Sequence, residues 1–332
     1  MFTEAFEDIL RDCCSPVTVR AIEAGGAHTP LWDTITESGF LEVMATEEAG
    51  GAGLDLAGVL PILCMLGLHA VPLPVGQAIA LRTLLPAGVA PPKGLPTFAP
   101  ALLREGNGDL VTPRVPFGAI ADHVLAELDG TLLLLDAHAA QSEPIGIHGD
   151  TTANLRWSAS HIENSVQPIH GSAPEGSLRA WGAALHAALL VGALARSFDL
   201  TLQYANDRTQ FGKSIGKFQV IQHQLAVMAE HVAASRIATA NAFAAGRTVP
   251  ALLPAGIAKA RASEAVITVA TVAHAVHGAI GVTEEYDLQL NTRRLHAWRI
   301  AHGSEAHWHE VIGQALLAAR SSTISHFVRE LR

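Results

Sequence analysis

Apolar residues recur at helical spacing through most of the second half of the chain. Residues 178–206 carry apolar side chains on most faces, which predicts a long, deeply buried helix. Residues 218–243 and 254–277 continue the pattern, and Gly246 and Pro250 between them act as helix stop signals. Several long helices joined by short connections pack as an antiparallel bundle, so we expect a helical bundle over residues 173–332.

The first half of the chain predicts shorter helices and strands than the second half. Residues 1–95 predict short helices separated by Gly and Pro, with a Gly-rich connector over 46–56. Residues 96–172 contain short β-prone runs at 111–116, 121–128 and 131–135, and Asp129-Gly130 is a hairpin signal. The predicted fold class is therefore mainly α with a small β-domain, divided as 1–95, 96–172 and 173–332.

Composition narrows the function classes. The net charge of −9 argues against nucleic-acid binding. Only 16% of the residues are charged, and we expect a surface so poor in charge to be covered in large part by other subunits. Cys13, Cys14 and Cys64 have neither metal-site nor disulfide spacing. The N-terminus is acidic where a signal peptide would be basic, and the uncharged run 180–195 is too short to span a bilayer. We expect a cytoplasmic protein with no membrane partner.

Two motifs connect the helical patterns. The first is Arg208-Thr-Gln-Phe-Gly-Lys and the second is His277-Gly-Ala-Ile-Gly, followed by Arg293-Arg294. Together they resemble the C-terminal domain of the acyl-CoA dehydrogenase family, flavoproteins that desaturate CoA thioesters. The stretch 115–125 is similar to the family's middle β-domain, which is β-barrel-like. The connector over 46–56 is similar to the family's N-terminal one, with Thr46 in place of a proline.

The resemblance implies an FAD site at these motifs. In the family, the Arg of the first motif pairs with the flavin pyrophosphate of a neighbouring subunit, a contact that suits a guanidinium. The cofactor residues that the resemblance implies are Arg208, Gln210, Phe211, Gln219, Gly278, Ala279 and Ser304. Ala279 replaces a second glycine of the family motif, and its methyl group would approach the cofactor. A structural alternative remains for Arg208, as a helix C-terminal cap, and for Gln219, as an exposed amide.

The family's chemistry needs a carboxylate that removes an α-proton while hydride passes to the flavin. The commonest family position for this base falls on His302, and the alternative position falls near Gly182. Neither residue is a carboxylate, and Glu305 lies about one helical turn beyond His302. The family's Thr-Glu-Pro-x-Ala-Gly-Ser-Asp stretch, which meets flavin and thioester, has no counterpart near residues 97–101.

Three readings follow. In the first, the chain is one subunit of a heteromeric α2β2 acyl-CoA dehydrogenase. It contributes FAD contacts while a partner subunit supplies the catalytic Glu, as in family members that act on steroid side-chain CoA esters. In the second, a self-sufficient homo-oligomer uses His302 or Glu305 as the base. In the third, the fold serves binding or assembly without catalysis. The partners implied are a catalytic subunit, an acyl-CoA and an electron-transfer flavoprotein.

Histidines are frequent near the C-terminus. His296, His302, His307 and His309 fall within a short helical region, and His302, Glu305 and His309 could share one face. A metal site would need three or four converging ligands. We expect scattered histidines and no metal.

Overall fold

The computed structural model describes residues 2–86, 88–171, 174–319 and 323–331. Helices account for most of this part of the chain, with strands concentrated in the middle. The α-helices are α1 (Phe2–Cys13), α2 (Pro16–Glu23), α3 (Thr29–Glu37), α4 (Leu56–Leu68), α5 (Val75–Leu84), α6 (Ile162–Ser165), α7 (Ser177–Asp207), α8 (Gln219–Ala242), α9 (Leu252–His277), α10 (Leu288–Ile300), α11 (Glu305–Ala318) and α12 (Ile324–Glu330).

The strands are β1 (Pro96–Phe98), β2 (Leu103–Arg104), β3 (Leu110–Val115), β4 (His123–Leu128), β5 (Thr131–Asp136), β6 (Gln141–Pro144), β7 (Ala153–Trp157), β8 (Val166–Ile169), β9 (Thr209–Gln210) and β10 (Lys213–Ser214). β1–β8 form two four-stranded sheets, in the orders β1-β4-β5-β8 and β2-β3-β7-β6. β1 runs parallel to β4, whereas the remaining pairs are antiparallel. The hairpin between β4 and β5 turns at Asp129 and Gly130, which both have positive φ angles, as the sequence predicts.

α7 is the central helix of the bundle, where it contacts α4, α8, α9 and α10. Its 31 residues span about 47 Å at the usual helical rise. Glycines let α4 approach it closely. A Cβ on Gly192 would overlap the Cys64 carbonyl oxygen, and a Cβ on Gly67 would overlap the Leu189 carbonyl oxygen. Both glycines therefore allow backbone contact between the N-terminal helices and the bundle.

The N-terminal helices and the C-terminal bundle share one hydrophobic core. It extends from Phe6 on α1 through Ile62 on α4 to Trp181 on α7 and Trp308 on α11. The two sheets enclose a separate core around Trp157. The β-domain therefore has a core of its own, while Phe98, Leu125 and Leu132 on its strands also pack into the core of the helical regions.

The sequence predicts the long helices to within a few residues: 178–206 corresponds to α7, 218–243 to α8 and 254–277 to α9. The mainly α fold with a small β-domain is confirmed. The predicted domain boundary at residues 172 and 173 lies outside the described residues, and the division into three domains remains a prediction.

Two helical segments, Ser177–Asp207 and Leu252–Val282, have the length and apolar composition of a membrane span. Buried core helices meet the same two criteria. In the first segment 89% of the most apolar window is buried inside the protein, and in the second 44% is.

Candidate functional site

The Arg208 motif forms a small hairpin between α7 and α8. β9 and β10 pair Gln210 with Lys213, so Phe211 and Gly212 form a two-residue turn. Both turn residues have positive φ angles, 51° and 80°, as the tight hairpin turn with the right-handed strand twist requires. The Ile215 N–H donates to the Arg208 carbonyl oxygen at 2.8 Å and closes the base of the hairpin.

The side chains of this hairpin face outward. Phe211 is 90% exposed, a high value for a ring of this size. Arg208 and Gln210 are also exposed, as is Gln219 at the first position of α8. Arg208 occupies the C-cap position of α7, and its guanidinium has no ion-pair partner among the described residues. The hairpin therefore presents the Arg208 guanidinium and the Phe211 ring, with Lys213 on the second strand, to whatever lies beside it.

The second motif lies next to the first. Tyr204, one turn before Arg208 on α7, stacks on His277 at the end of α9 with ring centroids 4.4 Å apart. Gly278 follows with a φ of 65°, and a Cβ added there would meet no atom within 4 Å. Ala279 is exposed as well, so its methyl group faces open space on this chain. The fold thus brings the Arg208 hairpin and the exposed backbone of the His277 turn together.

The remaining predicted site residues lie at the opposite end of α9. Lys259 contacts the Gly303 carbonyl oxygen at 2.9 Å and so marks where the turn after α10 meets α9. Eighteen residues separate Lys259 from His277 on α9, which corresponds to about 27 Å along the helix. His302, Ser304 and Glu305 therefore form a second group, remote from the Arg208 hairpin on the same chain.

His302 is buried, and its ring points into the protein. It is 7% exposed and has a φ of 52°. Its ring centroid lies 4.8 Å from that of His186 on α7, and a Cβ added to Gly182 would overlap its Nδ1 atom. The two positions that the sequence predicts for the family's base are therefore adjacent in space, and the His302 imidazole occupies the volume that a side chain at position 182 would fill.

Burial controls the ionisation of this pair of histidines. Desolvation, reinforced by nearby Lys259, lowers the pKa of His302 to about 3. Desolvation likewise lowers the pKa of His186, with further contributions from His302 and Lys259. Both Nε2 atoms are buried without a hydrogen-bond partner among the described residues. Both rings are therefore neutral near pH 7, and His302 is a weak proton acceptor.

Lys259 connects α9 to the turn at His302 through hydrogen bonds. Its Nζ atom is buried and donates to Ser263 Oγ, the Arg299 carbonyl oxygen and the Gly303 carbonyl oxygen, at 2.8 to 2.9 Å. Burial lowers its pKa to about 7. The three acceptors fix the end of α10 and the turn at His302. The sequence offers one retrospective signal for this role, a lysine among alanines in a helix predicted to be buried.

Glu305 and Ser304 have structural partners. Both oxygens of Glu305 accept from the Arg299 guanidinium, and these hydrogen bonds lower the pKa of the carboxyl group. Ser304 is the N-cap of α11, and its Oγ accepts from the His307 N–H at 3.4 Å. Neither side chain needs a ligand to account for its position.

A cavity of about 490 Å³ opens where the N-terminal helices, the β-domain and α10 meet. Its walls come from the residues after α4, from the turn after β3, from the loop over 145–152 and from α10. Ala301 lines it, whereas His302 and Glu305 do not. No local sequence pattern indicates this cavity, because its walls come from segments far apart in the chain.

The stretch 97–101 offers no polar groups to a cofactor. Thr97 is buried, and its Oγ1 donates to the Pro116 carbonyl oxygen at 2.6 Å. Phe98 is fully buried, and the Ala99 N–H bonds to Leu125. The residues present therefore fit an FAD at the Arg208 end, where a free guanidinium and open glycine backbone meet.

The C-terminal histidines have separate partners. His307 Nε2 lies 3.0 Å from Arg179, and His309 Nε2 lies 3.2 Å from Glu264. Over the described part of the chain, no group of three or more His, Cys, Asp or Glu side chains could hold a metal ion.

The known proteins that this chain is similar to belong to the family that the two motifs indicate. The profile of the acyl-CoA dehydrogenase C-terminal domain matches residues 178–317. Acyl-CoA dehydrogenase IpdE2 of Mycolicibacterium smegmatis is 32% identical over 309 residues, covering 89% of this chain and 91% of that protein. The ChsE4-ChsE5 complex from Mycobacterium tuberculosis contains a chain with the same fold, with a TM-score of 0.81 at 20% identity, covering 96% of this chain and 97% of that one. The Tcur3481-Tcur3483 steroid ACAD G363A variant has a TM-score of 0.74 at 22% identity, covering 95% and 96%.

The identity to IpdE2 over nine-tenths of the chain is decisive, and the structural matches agree in fold. The chain belongs to the acyl-CoA dehydrogenase family, whose members are FAD-dependent oxidoreductases.

Proposed function

We propose that this chain is one subunit of a heteromeric acyl-CoA dehydrogenase, in which a partner subunit supplies the catalytic carboxylate. The observation that carries the proposal is the contact between His302 and Gly182. Both family positions for the base lie side by side on this chain, and a buried imidazole occupies them.

The self-sufficient alternative lacks an effective base. A pKa of about 3 leaves His302 too weakly basic to compete for an α-proton. Glu305 is held by Arg299 and does not line the cavity. A base with a lowered pKa and no access to the cavity cannot perform the proton transfer.

The FAD contacts that we assign to this subunit come from the exposed hairpin. Arg208 would pair with the pyrophosphate of a flavin held mainly by the partner, and Phe211, Gln210 and Gln219 would lie along it. Gly278 and Ala279 offer backbone close by. When bound, FAD supplies the acceptor for the hydride that leaves the acyl chain. The separation of about 27 Å along α9 places Ser304 and His302 away from this contact.

The second contribution that we assign to this subunit is a surface for assembly with other subunits. Val220, Val227 and Ile237 are exposed on α8, and Ile267 is exposed on α9. Exposed apolar residues on bundle helices, in a chain with only 16% charged residues, favour burial against another subunit. The ChsE4-ChsE5 and Tcur3481-Tcur3483 structures are named as pairs of unlike chains, which supports an α2β2 assembly here as well.

The substrate class follows from the family and from its steroid-acting member. We propose a CoA thioester as the substrate, in line with the steroid ACAD among the structural relatives. We propose an electron-transfer flavoprotein as the acceptor of the electrons, since a structure described by that name is among the structural neighbours. The cytoplasmic location predicted from the sequence is kept as part of this proposal.

Co-expression tests the proposal. The chain is produced alone and together with an acyl-CoA dehydrogenase subunit encoded beside it, and each product is assayed for flavin absorbance, mass and thioester desaturation. We expect little flavin in the isolated chain and a yellow, active complex containing both subunits. An isolated chain that is saturated with flavin and fully active would refute the heteromeric assignment.

A further inference from the structure

The segment over 283–287, which leads from the His277 motif into α10, is held by an arginine near the other end of the chain. This arginine is Arg20, on α2. Its guanidinium donates to the carbonyl oxygen of Glu284 at 3.0 Å and to that of Glu285 at 3.2 Å. It also donates to Asp287 Oδ1 at 2.7 Å. One side chain of the N-terminal helices therefore fixes three of the five residues in this segment.

The segment has few other attachments of comparable strength. The side chains at 282–285 are exposed, so apolar packing does not hold them. The Tyr286 N–H reaches the Thr283 carbonyl oxygen only at 3.4 Å, and the Gln289 amide reaches the Glu284 carbonyl oxygen at the same distance. Both distances are at the long limit for a hydrogen bond. Arg20 therefore provides the stronger attachment at positions 284 and 285.

Asp287 uses its carboxylate for this contact and not for its own helix. It is the N-cap residue of α10, a position at which an Asp side chain commonly accepts from a backbone N–H of the first turn. Here its φ and ψ angles are helical, −67° and −19°, and it makes no capping hydrogen bond. The side chains of Arg20 and Asp287 are 27% and 38% exposed, so the ion pair contributes little to the stability of the whole protein.

The same segment places Tyr286 against the two motifs. The Tyr286 ring centroid lies 5.2 Å from that of His277 and 6.3 Å from that of Tyr204 on α7. Tyr204 stacks on His277, and its carbonyl oxygen accepts from the Arg208 N–H at 2.9 Å. These three rings therefore connect the segment that Arg20 holds to the Arg208 hairpin and to the His277 turn.

We propose that Arg20 is a positioning residue for the flavin contacts of this subunit. By holding the segment over 283–287, it sets where Tyr286 lies against His277, and so keeps the His277 turn and the Arg208 hairpin in one arrangement. Flavin binds less tightly when the arrangement that contacts it is populated for less of the time. The inference rests on the proposed function, in which both motifs contact a flavin held mainly by the partner subunit, and it extends that function to α2.

Flavin titration of the heteromeric complex tests the proposal. The complex is freed of flavin and titrated with FAD, once with the wild-type chain and once with Arg20→Gln. We expect the variant to raise the dissociation constant of FAD by about three- to tenfold, because the binding arrangement is less populated. A dissociation constant equal to that of the wild type would overturn the positioning role.

Arg82→Gln is the matched control for the loss of an ion pair that joins two separate segments. Arg82 on α5 donates through two nitrogens to the Glu42 carboxylate, and its side chain is only 13% exposed. The control should therefore lower the midpoint of thermal unfolding at least as much as Arg20→Gln does, while its dissociation constant for FAD stays that of the wild type. An equal loss of flavin affinity in both variants would mean that Arg20 acts only through general stability, against the proposal.

Hydrogen exchange of the flavin-free complex gives a readout that needs no cofactor. Arg20→Gln should speed the exchange of the amides over 278–287 and leave those of α8 at the wild-type rate. A purely global loss of stability would speed exchange in both places. Unchanged exchange over 278–287 would show that Arg20 does not hold the segment, and would overturn the inference.

Arg208→Gln in the same titration separates this inference from the proposed function. Weaker FAD binding in Arg208→Gln together with wild-type binding in Arg20→Gln would leave the proposed function standing and remove the positioning role. Wild-type binding in both variants would overturn both. Weaker binding in both, with faster exchange over 278–287 in Arg20→Gln alone, is the result that we expect.

Discussion

His302 packs its Nδ1 atom against the Cα position of Gly182, so that the side chain of one residue occupies the space where the other would carry a Cβ. His302 follows α10 and Gly182 lies on α7, 120 positions earlier in the chain. The contact is tight enough that neither position can be changed to a larger residue without movement of the other. The two candidate catalytic positions are therefore part of the packed core.

Gly182→Ala should destabilise the protein. The added methyl group would overlap a buried ring that has no free space to enter, which costs about 1–3 kcal/mol for overpacking in a well-packed core. The measurement is the free energy of unfolding in urea. Gly313→Ala on α11 is the matched control: a Cβ there meets no atom within 4 Å, so it should be neutral or slightly stabilising.

The double variant Gly182→Ala with His302→Ala gives a sharper check. Removing the imidazole frees the space for the new methyl group, so the two changes should couple. Additive losses of stability would mean that the two residues do not compete for the same volume.

Acid should destabilise the protein before its carboxylates titrate. The pKa of His302 is about 3 in the folded protein and about 6.5 when unfolded, so the unfolded chain takes up the proton first. The stability is fully present above about pH 6.5 and falls as the pH drops towards 3, by at most about 1.4 kcal/mol per pH unit for one imidazole. His186 acts in the same direction.

His302→Gln should reduce the slope of stability against pH between 6.5 and 4.5, measured as urea unfolding at several pH values. His161→Gln, at an exposed histidine, is the control and should keep the wild-type slope. A slope that is unchanged in His302→Gln would show that its ring titrates normally and is not buried as described.

Lys259→Met should lower the free energy of unfolding by about 1–3 kcal/mol, because the Gly303 carbonyl oxygen loses its donor and the Arg299 carbonyl oxygen keeps only the Ser263 hydroxyl. The methionine keeps most of the side-chain volume, which isolates the loss of hydrogen bonds. Lys93→Met, at an exposed lysine, is the control. Equal stability of both variants would remove Lys259 from its anchoring role.

Arg208→Gln should lower the flavin content of the heteromeric complex without changing the fold. Arg208 is exposed and has no ion-pair partner in the part of the chain that the structure describes, so its replacement costs little stability. Loss of a charge-assisted contact with a phosphate, in contrast, weakens binding by about 1.5–3 kcal/mol. Flavin absorbance per complex and the circular dichroism melting curve report the two effects separately. Full flavin occupancy in Arg208→Gln would exclude the pyrophosphate contact, with Arg104→Gln as the control.

Neither His302→Gln nor Glu305→Gln should abolish turnover of the complex. Loss of a general base costs about 10²–10⁴-fold in rate, whereas residues that only shape the turn change the rate by far less. The measurement is kcat of the complex with each variant, normalised to its flavin content. A fall of several hundredfold in either variant would favour a base on this chain.

The sequence determined the architecture because helix length and apolar spacing are local properties. The runs over 178–206, 218–243 and 254–277 predict the bundle, and Asp129-Gly130 predicts the hairpin, since each depends on neighbours in the chain. The motifs at Arg208 and His277 likewise indicated the family. The absence of a carboxylate at positions 182 and 302 could be read from the residue identities alone.

Only the tertiary structure decided what these positions do. It placed His302 beside Gly182 and Lys259 next to the turn that carries His302, and it formed a cavity lined from three separate regions. Burial, which sets the pKa of His302 and of Lys259, depends on packing between segments far apart in the chain and leaves no local pattern. The sequence names the residues available for chemistry, whereas their solvent exposure and their neighbours follow from how the helices pack.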